Sequence, residues 1–191
     1  MLSLIKDYIK DKYNKPGNVY LGLVHRLDRP VGGVMVFAKT SKSAARLSEQ
    51  VRNKELKKEY LVITDGKFEK ETGHLEDYLL KNERNNLSKV VNENVKNSKL
   101  AILDYEVLKY NEDIDLSVVK VNLKTGRHHQ IRVQFSNIGH SIYGDQKYGI
   151  RGKGKQIALW AYKLSFKHPI TKEDLTFECL PEKIGSWKIL N

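Results

Sequence analysis

Three short segments of this chain carry side chains whose types and spacing suit chemistry on a polyanion. The first runs His25-Arg26-Leu27-Asp28-Arg29-Pro30-Val31-Gly32-Gly33 and sets one carboxylate between two guanidiniums. Cations so placed favour the ionised form of a carboxylate. Pro30 keeps Arg29 out of comfortable helical geometry, and the paired glycines permit close approach of a backbone or ligand. Taken alone, the segment reads as a charged turn before a strand, and the alternative is a mount for a reactive carboxylate.

The second segment places Tyr60 behind Lys54, Lys57 and Lys58. A tyrosine there is either a half-buried strand residue or an aromatic face for a nucleobase, with lysines at hand for phosphates. The third is Thr125-Gly126-Arg127-His128-His129-Gln130-Ile131-Arg132, a turn and helix start rich in donors. Helical spacing cannot put all of these on one face, so some are expected in solvent. Arg127 suits a phosphate contact and Arg132 an ion pair. Adjacent histidines diverge by about 100° on a helix, which makes them a poor metal site. A fourth segment, Tyr143 to Gly149, has the composition of a turn, and Asp145 and Tyr148 are read there as turn residues.

Composition narrows the partner. The 191 residues hold 34 Lys and Arg against 23 Asp and Glu, a formal charge of +11 that suits nucleic acid. The single cysteine, Cys179, excludes an intramolecular disulfide framework and a Cys-based zinc site. No apolar run approaches the roughly 20 residues of a membrane span. The N-terminal residues alternate charge with apolar side chains, unlike a signal peptide. The expected setting is the cytoplasm.

The elements that must position these groups follow from periodicity. Leu2, Ile5, Ile9 and Tyr13 predict a helix over residues 2–13, stopped by Asn14-Lys15-Pro16-Gly17-Asn18. Residues 33–38 read as one buried strand. A helix capped by Ser41 or Ser43 is expected to reach about residue 53, with Ala44, Leu47 and Val51 inward. Residues 59–64 form a strand ended by Asp65-Gly66, and the polar stretch 67–98 reads as short strands and loops. Residues 100–110 and 114–123 look like antiparallel neighbours. A helix with Ile131 and Phe135 inward and Gly139 at its end follows, then a glycine-rich loop over 148–156 and two final strands. The fold class is α+β, a mixed, mostly antiparallel sheet with helices packed on it, in a single domain over residues 1–191.

The order of these segments is more specific than any one of them. His25-Arg26-Leu27-Asp28 before a glycine-rich strand, Lys58-Glu59-Tyr60, Thr125 to Arg132, Gly144 to Gly149, and Leu164 to Pro169 together resemble the RluA-type pseudouridine synthase family. The resemblance spans about residues 19–180. It implies the pseudouridine synthase catalytic fold and isomerisation of uridine in ribosomal or transfer RNA to its C-glycoside, by a monomer, without cofactor or metal. It implies Asp28 as the catalytic carboxylate, Tyr60 as the tyrosine that stacks on the target base, and Arg132 as the ion-pair partner of Asp28. His25, Arg26, Arg29, Lys58, Arg127, His129 and Gln130 are the expected RNA contacts. An ionised carboxylate suits attack on the sugar or stabilisation of its oxocarbenium-like character. A uridine in structured RNA must also be extruded, which phosphate grips and an aromatic platform serve.

Two departures stand out. Trp160 and His128 occupy positions where the family often has histidine and threonine. The family also carries a strand and an Asn-Lys-Pro-x-Gly segment ahead of this region, so the chain reads as N-terminally shortened, with no additional RNA-binding domain. The alternative reading is therefore a catalytically silent RNA-binding protein of the same fold.

Overall fold

Gly32 and Gly33 divide the apolar run that follows Asp28. In the computed structural model, which describes residues 1–150 and 154–190, the expected strand over 33–38 is two short strands instead. These are β2 (Gly32–Gly33) and β3 (Phe37–Ala38); β1 (Gly22–Leu23) precedes them. Gly33 has φ +122°, and a Cβ there would lie 2.1 Å from the carbonyl oxygen of Ala161. Only glycine lets the chain press this closely on its neighbour. Beyond it, Val34 N–H donates to the Ala161 carbonyl at 2.8 Å, and β3 then turns to pair antiparallel with β1. The run changes partners, so it cannot be one strand.

The chain forms two compact units. The first comprises Met1–Arg26, Met35–Leu56 and Ser165–Leu175. It holds α1 (Leu2–Lys12), the β1–β3 ribbon and α2 (Ser41–Arg52). The cap of α2 is Thr40 rather than a serine: in extended conformation, its side chain accepts the Ser43 N–H at 3.1 Å. Leu47 is buried as expected, whereas Ala44 and Val51 are half-buried. Gln50 takes an inner position instead. Its amide donates to the Lys167 carbonyl at 2.8 Å and accepts the Lys167 N–H at 2.9 Å, extending a strand edge with a side chain.

The second unit comprises Leu27–Val34, Lys57–Leu164 and the segment from Thr176 onward. Its strands are β4 (Lys57–Asp65), β5 (Thr72–Asn82), β6 (Leu87–Val91), β7 (Lys99–Asn111) and β8 (Leu116–Leu123). Then come helix α3 (Gln130–Asn137), β9 (Leu159–Lys167) and β10 (Asp174–Glu178), the residues of the last two being divided between the units. Among the described residues the sheet order is β10-β9-β4-β8-β7-β5-β6, with β2 parallel to β9. The pairs β4–β8, β8–β7, β7–β5 and β5–β6 are antiparallel. The fold class expected from the sequence is the one observed.

The stretch 67–98 is more regular than its composition suggests. β5 alone has 11 residues, paired with β7 from Thr72–Glu106 to Leu79–Lys99. Its alternate residues His74 and Glu76 are exposed, and this solvated face hides the strand pattern. Tyr60, Val62, Leu103, Val119, Val121 and Leu159 meet Ile131 and Phe135 of α3 in one apolar core. Gly139, at φ +85°, ends α3, and His140 N–H closes the turn on the Phe135 carbonyl at 3.0 Å. Part of the glycine-rich loop over 148–156 lies outside the described residues.

Candidate active site

Asp28 stands on a turn closed by Val31 N–H on its own carbonyl, at 2.9 Å, and anchored on β9 through β2. The backbone is thereby held while the side chain stays 30% exposed. Its partner comes from 104 residues away. Arg132 Nη1, from the buried face of α3, donates to Asp28 Oδ2 at 3.1 Å. The carboxylate is thus paired by a residue of the third segment, while Arg26 and Arg29, its neighbours in sequence, are both exposed.

Arg132 is itself fixed from behind. Its Nε and Nη2 donate to the two oxygens of Asp145, at 2.7 and 2.6 Å. Asp145 is 2% exposed and also accepts the backbone N–H groups of Lys147 and Tyr148, at 2.9 and 3.2 Å. Burial opposes charge on Asp145, but Arg132 and these amides outweigh it and lower its pKa. Burial likewise opposes charge on Arg132, and Asp145 followed by Asp28 outweighs that to raise its pKa. Both groups stay ionised in a place where an unpaired charge would be costly.

Sequence reading missed Asp145 and Tyr148, taking them as turn residues. A signal was present. Arg132 lies three residues before inward Phe135, so it shares the core-facing side of the helix and needs a buried counter-ion.

His129 lies beside the pair, with Nε2 3.8 Å from Asp28 Oδ2. It is buried, and its backbone is left-handed at φ +54°. Burial, and then the charge of Arg132, lower its pKa to about 4, so the ring is neutral at pH 7. The expected divergence of the histidines does not occur, because both precede α3. Their rings pack at 3.8 Å between centroids and 33° between planes.

Tyr60 pairs with Val121 across β4 and β8 and is 7% exposed, deeper than a half-buried strand residue. It packs in the core with Leu27 and Val31, which flank Asp28 in sequence. Burial, and secondarily the charge of Asp28, raise its pKa, keeping the phenol neutral. On the same strand, Lys58 has its pKa lowered by burial.

Three of the residues expected at an RNA contact are buried and bonded to protein atoms. His25 Nε2 accepts the Val36 N–H at 3.2 Å. Gln130 braces the turn before α3: its oxygen accepts from the Thr125 hydroxyl and Arg127 N–H, at 2.8 and 3.0 Å. Its amide nitrogen donates to Ile102 and Gln134, at 3.1 and 3.0 Å. His129, the third, faces Asp28. A polar side chain that satisfies a turn is hard to tell by type from one that meets RNA. Arg26, Arg29 and Arg127 are exposed, and Lys58 is half-buried. Among the described residues no three His, Cys, Asp or Glu side chains group for a metal ion, and no helix is long and apolar enough to cross a membrane.

Comparison with known proteins decides the family. Residues 4–137, well over half of the chain, match the family model described as RNA pseudouridylate synthase. The chain belongs to the RNA pseudouridylate synthase family. Ribosomal large subunit pseudouridine synthase C of Haemophilus influenzae is 35% identical over 173 residues, covering 85% of this chain and 52% of that protein. An RNA pseudouridine synthase of Aquifex aeolicus is 34% identical over 181 residues, covering 90% of this chain and 56% of its own length. The tRNA pseudouridine synthase C of Haemophilus influenzae is 33% identical over 171 residues, or 80% and 71% of the two chains. The chain spans about half the length of the first two of these relatives. The solved structure of human RNA Pseudouridylate Synthase Domain Containing 4 superposes with a TM-score of 0.78. It covers 95% of this chain and 79% of its own at 22% identity, a likeness of fold.

Proposed function

We propose that this chain is an RNA pseudouridine synthase that isomerises uridines in ribosomal or transfer RNA, with Asp28 as the catalytic carboxylate. The observation that carries the reading is the ion pair from Arg132 to Asp28, joining two sequence-distant segments around one partly exposed carboxylate in a member of this family. The reaction breaks the N1–C1′ bond, turns the uracil and joins C5 to C1′. C5 loses a proton and N1 gains one, so substrate and product have the same mass. Asp28 meets the sugar as nucleophile or as counter-charge to the oxocarbenium-like carbon. Arg132 pairs with that carboxylate and orients it. Tyr60 forms the neutral aromatic floor beneath the base, and its depth means the uridine is extruded to reach it.

Arg26, Arg29, Lys58 and Arg127 neutralise phosphates, while His25 and Gln130 hold the turns that display them. The protein acts as a monomer in the cytoplasm, with RNA as its partner and without metal or cofactor. The relatives named for ribosomal and transfer RNA support this substrate class.

The test is carbodiimide primer extension on total RNA from a deletion strain, complemented with the wild-type chain or with Asp28→Asn. A stop that is lost on deletion and restored only by the wild type supports the reading. An unchanged map, with Asp28→Asn binding RNA like the wild type, leaves an RNA-binding protein in its place.

A further inference from the structure

Tyr148 and His129 form a line of polar contacts that ends at Asp28. The Tyr148 hydroxyl accepts the Ser88 N–H at 2.7 Å and lies 2.8 Å from His129 Nδ1. Across the ring, Nε2 faces Asp28 Oδ2. With one lone pair engaged by the Ser88 amide, the phenol has its own proton to give, and Nδ1 is the acceptor in reach. A neutral imidazole that accepts at Nδ1 carries its proton on Nε2, directed at the carboxylate.

Other features fix the same arrangement. Ser88 Oγ bonds His128 Nδ1 at 2.9 Å, so one β6 residue fastens both Tyr148 and the ring packed on His129. The left-handed backbone of His129 is one that residues with a Cβ rarely adopt, and here the surroundings enforce it.

We infer that Ser88 and Tyr148 are positioning residues that set His129 to its Nε2–H tautomer, and that His129 with Arg132 orients Asp28. Both contacts fall on Oδ2, and among the described residues none falls on Oδ1. Two donors on one oxygen hold the carboxylate plane and present Oδ1 to the ribose. The 3.8 Å separation is longer than a hydrogen bond. A shift of less than about 1 Å in the partly exposed carboxylate closes it, as catalytic contacts tighten when substrate binds. The catalytic consequence rests on the isomerase reading above; the tautomer does not.

The test pairs nitrogen NMR of 15N-histidine-labelled protein with single-turnover isomerisation, and His129→Gln assigns the signal. The wild type should show a neutral Nε2–H ring for His129 at pH 7. Tyr148→Phe should lose the fixed tautomer and slow the single-turnover rate about tenfold while RNA Kd is unchanged. Asp28→Asn, which preserves shape, should move the His129 Nε2 resonance. An Nδ1–H tautomer in the wild type overturns the inference, and it needs no variant that folds poorly. So does a resonance indifferent to Asp28→Asn, or a Tyr148→Phe protein with wild-type tautomer and rate. If the wild type isomerises no uridine yet shows both spectral shifts, the isomerase reading fails and the hydrogen-bond line stands.

Discussion

Arg132 grips Asp145 with two hydrogen bonds, at 2.7 and 2.6 Å, and extends its remaining nitrogen to Asp28 at 3.1 Å. The bidentate contact fixes the guanidinium plane, and the plane fixes the direction from which Asp28 is met. Lysine, a point charge on a flexible stem, could not serve both carboxylates in this way. The protein's own carboxylate thus sets the direction of the donor to Asp28, which is the preorganisation that a charged transition state rewards.

Asp145→Ala should therefore act first on stability. It removes the bidentate partner of a cation that is only 5% exposed. Breaking a buried pair in this way costs about 3–5 kcal/mol, because the remaining charge stays buried. Asp145→Asn retains an acceptor and should cost less. Urea unfolding at pH 7 measures both, and a loss below about 1 kcal/mol for the alanine variant would show that Arg132 finds another counter-ion.

Asp28→Asn should separate chemistry from binding. It keeps the shape of the side chain and removes the charge proposed to act on the sugar. Single-turnover isomerisation should fall below detection, while RNA Kd stays within about threefold, since phosphate contacts carry most of the affinity. A large rise in Kd would move Asp28 from the reaction to the grip on RNA.

Much of this was legible in the sequence, and the parts that were not share a cause. Strands β4, β7 and β8 are runs rich in apolar and β-branched residues, and Ile131 and Phe135 mark the inner face of α3. The order of the motifs brought Asp28 and Arg132 into one site. What escaped was decided by contacts rather than by residue type. Gly33 breaks a strand because a neighbouring carbonyl lies where its Cβ would be. Gln50 faces inward because a strand edge supplies both its bonds. Asp145 looks like a turn aspartate until a guanidinium is found buried against it.

RNA binding should depend steeply on salt, with exposed arginines setting the slope. Each neutralised phosphate releases counterions and adds roughly one to the magnitude of the slope of log K against log salt. Arg127 is exposed, and its Nε donates to the Leu100 carbonyl at 2.8 Å. Arg127→Ala should lower the slope by about 1 and weaken binding similarly for different RNA sequences. Filter binding from 50 to 200 mM salt reads this out, and a slope equal to that of wild type would remove Arg127 from the phosphate contacts.

Stability should fall as the pH drops from about 6.5 toward 4, and His129 should account for much of the slope. Above 6.5 its ring is neutral folded and unfolded, so it contributes no pH dependence. Below that, the unfolded chain takes up a proton that the folded ring, with its pKa lowered to about 4, refuses. The unfolded state then binds more protons, and stability declines by at most about 1.4 kcal/mol per pH unit from this group. Asp28 faces the ring and favours its protonation, whereas Arg132, His128 and Lys147 oppose it, after burial. His128 is shifted down as well, chiefly by burial, and adds to the decline. Exposed His74 is shifted up by Asp104 and works weakly in the other direction. Asp145, shifted down, contributes its loss only below its ordinary value of 3.8, outside this window. Urea midpoints between pH 4.5 and 7 should therefore show a shallower dependence for His129→Gln than for the wild type. Parallel curves would mean that the His129 ring titrates in the folded protein as freely as in the unfolded chain.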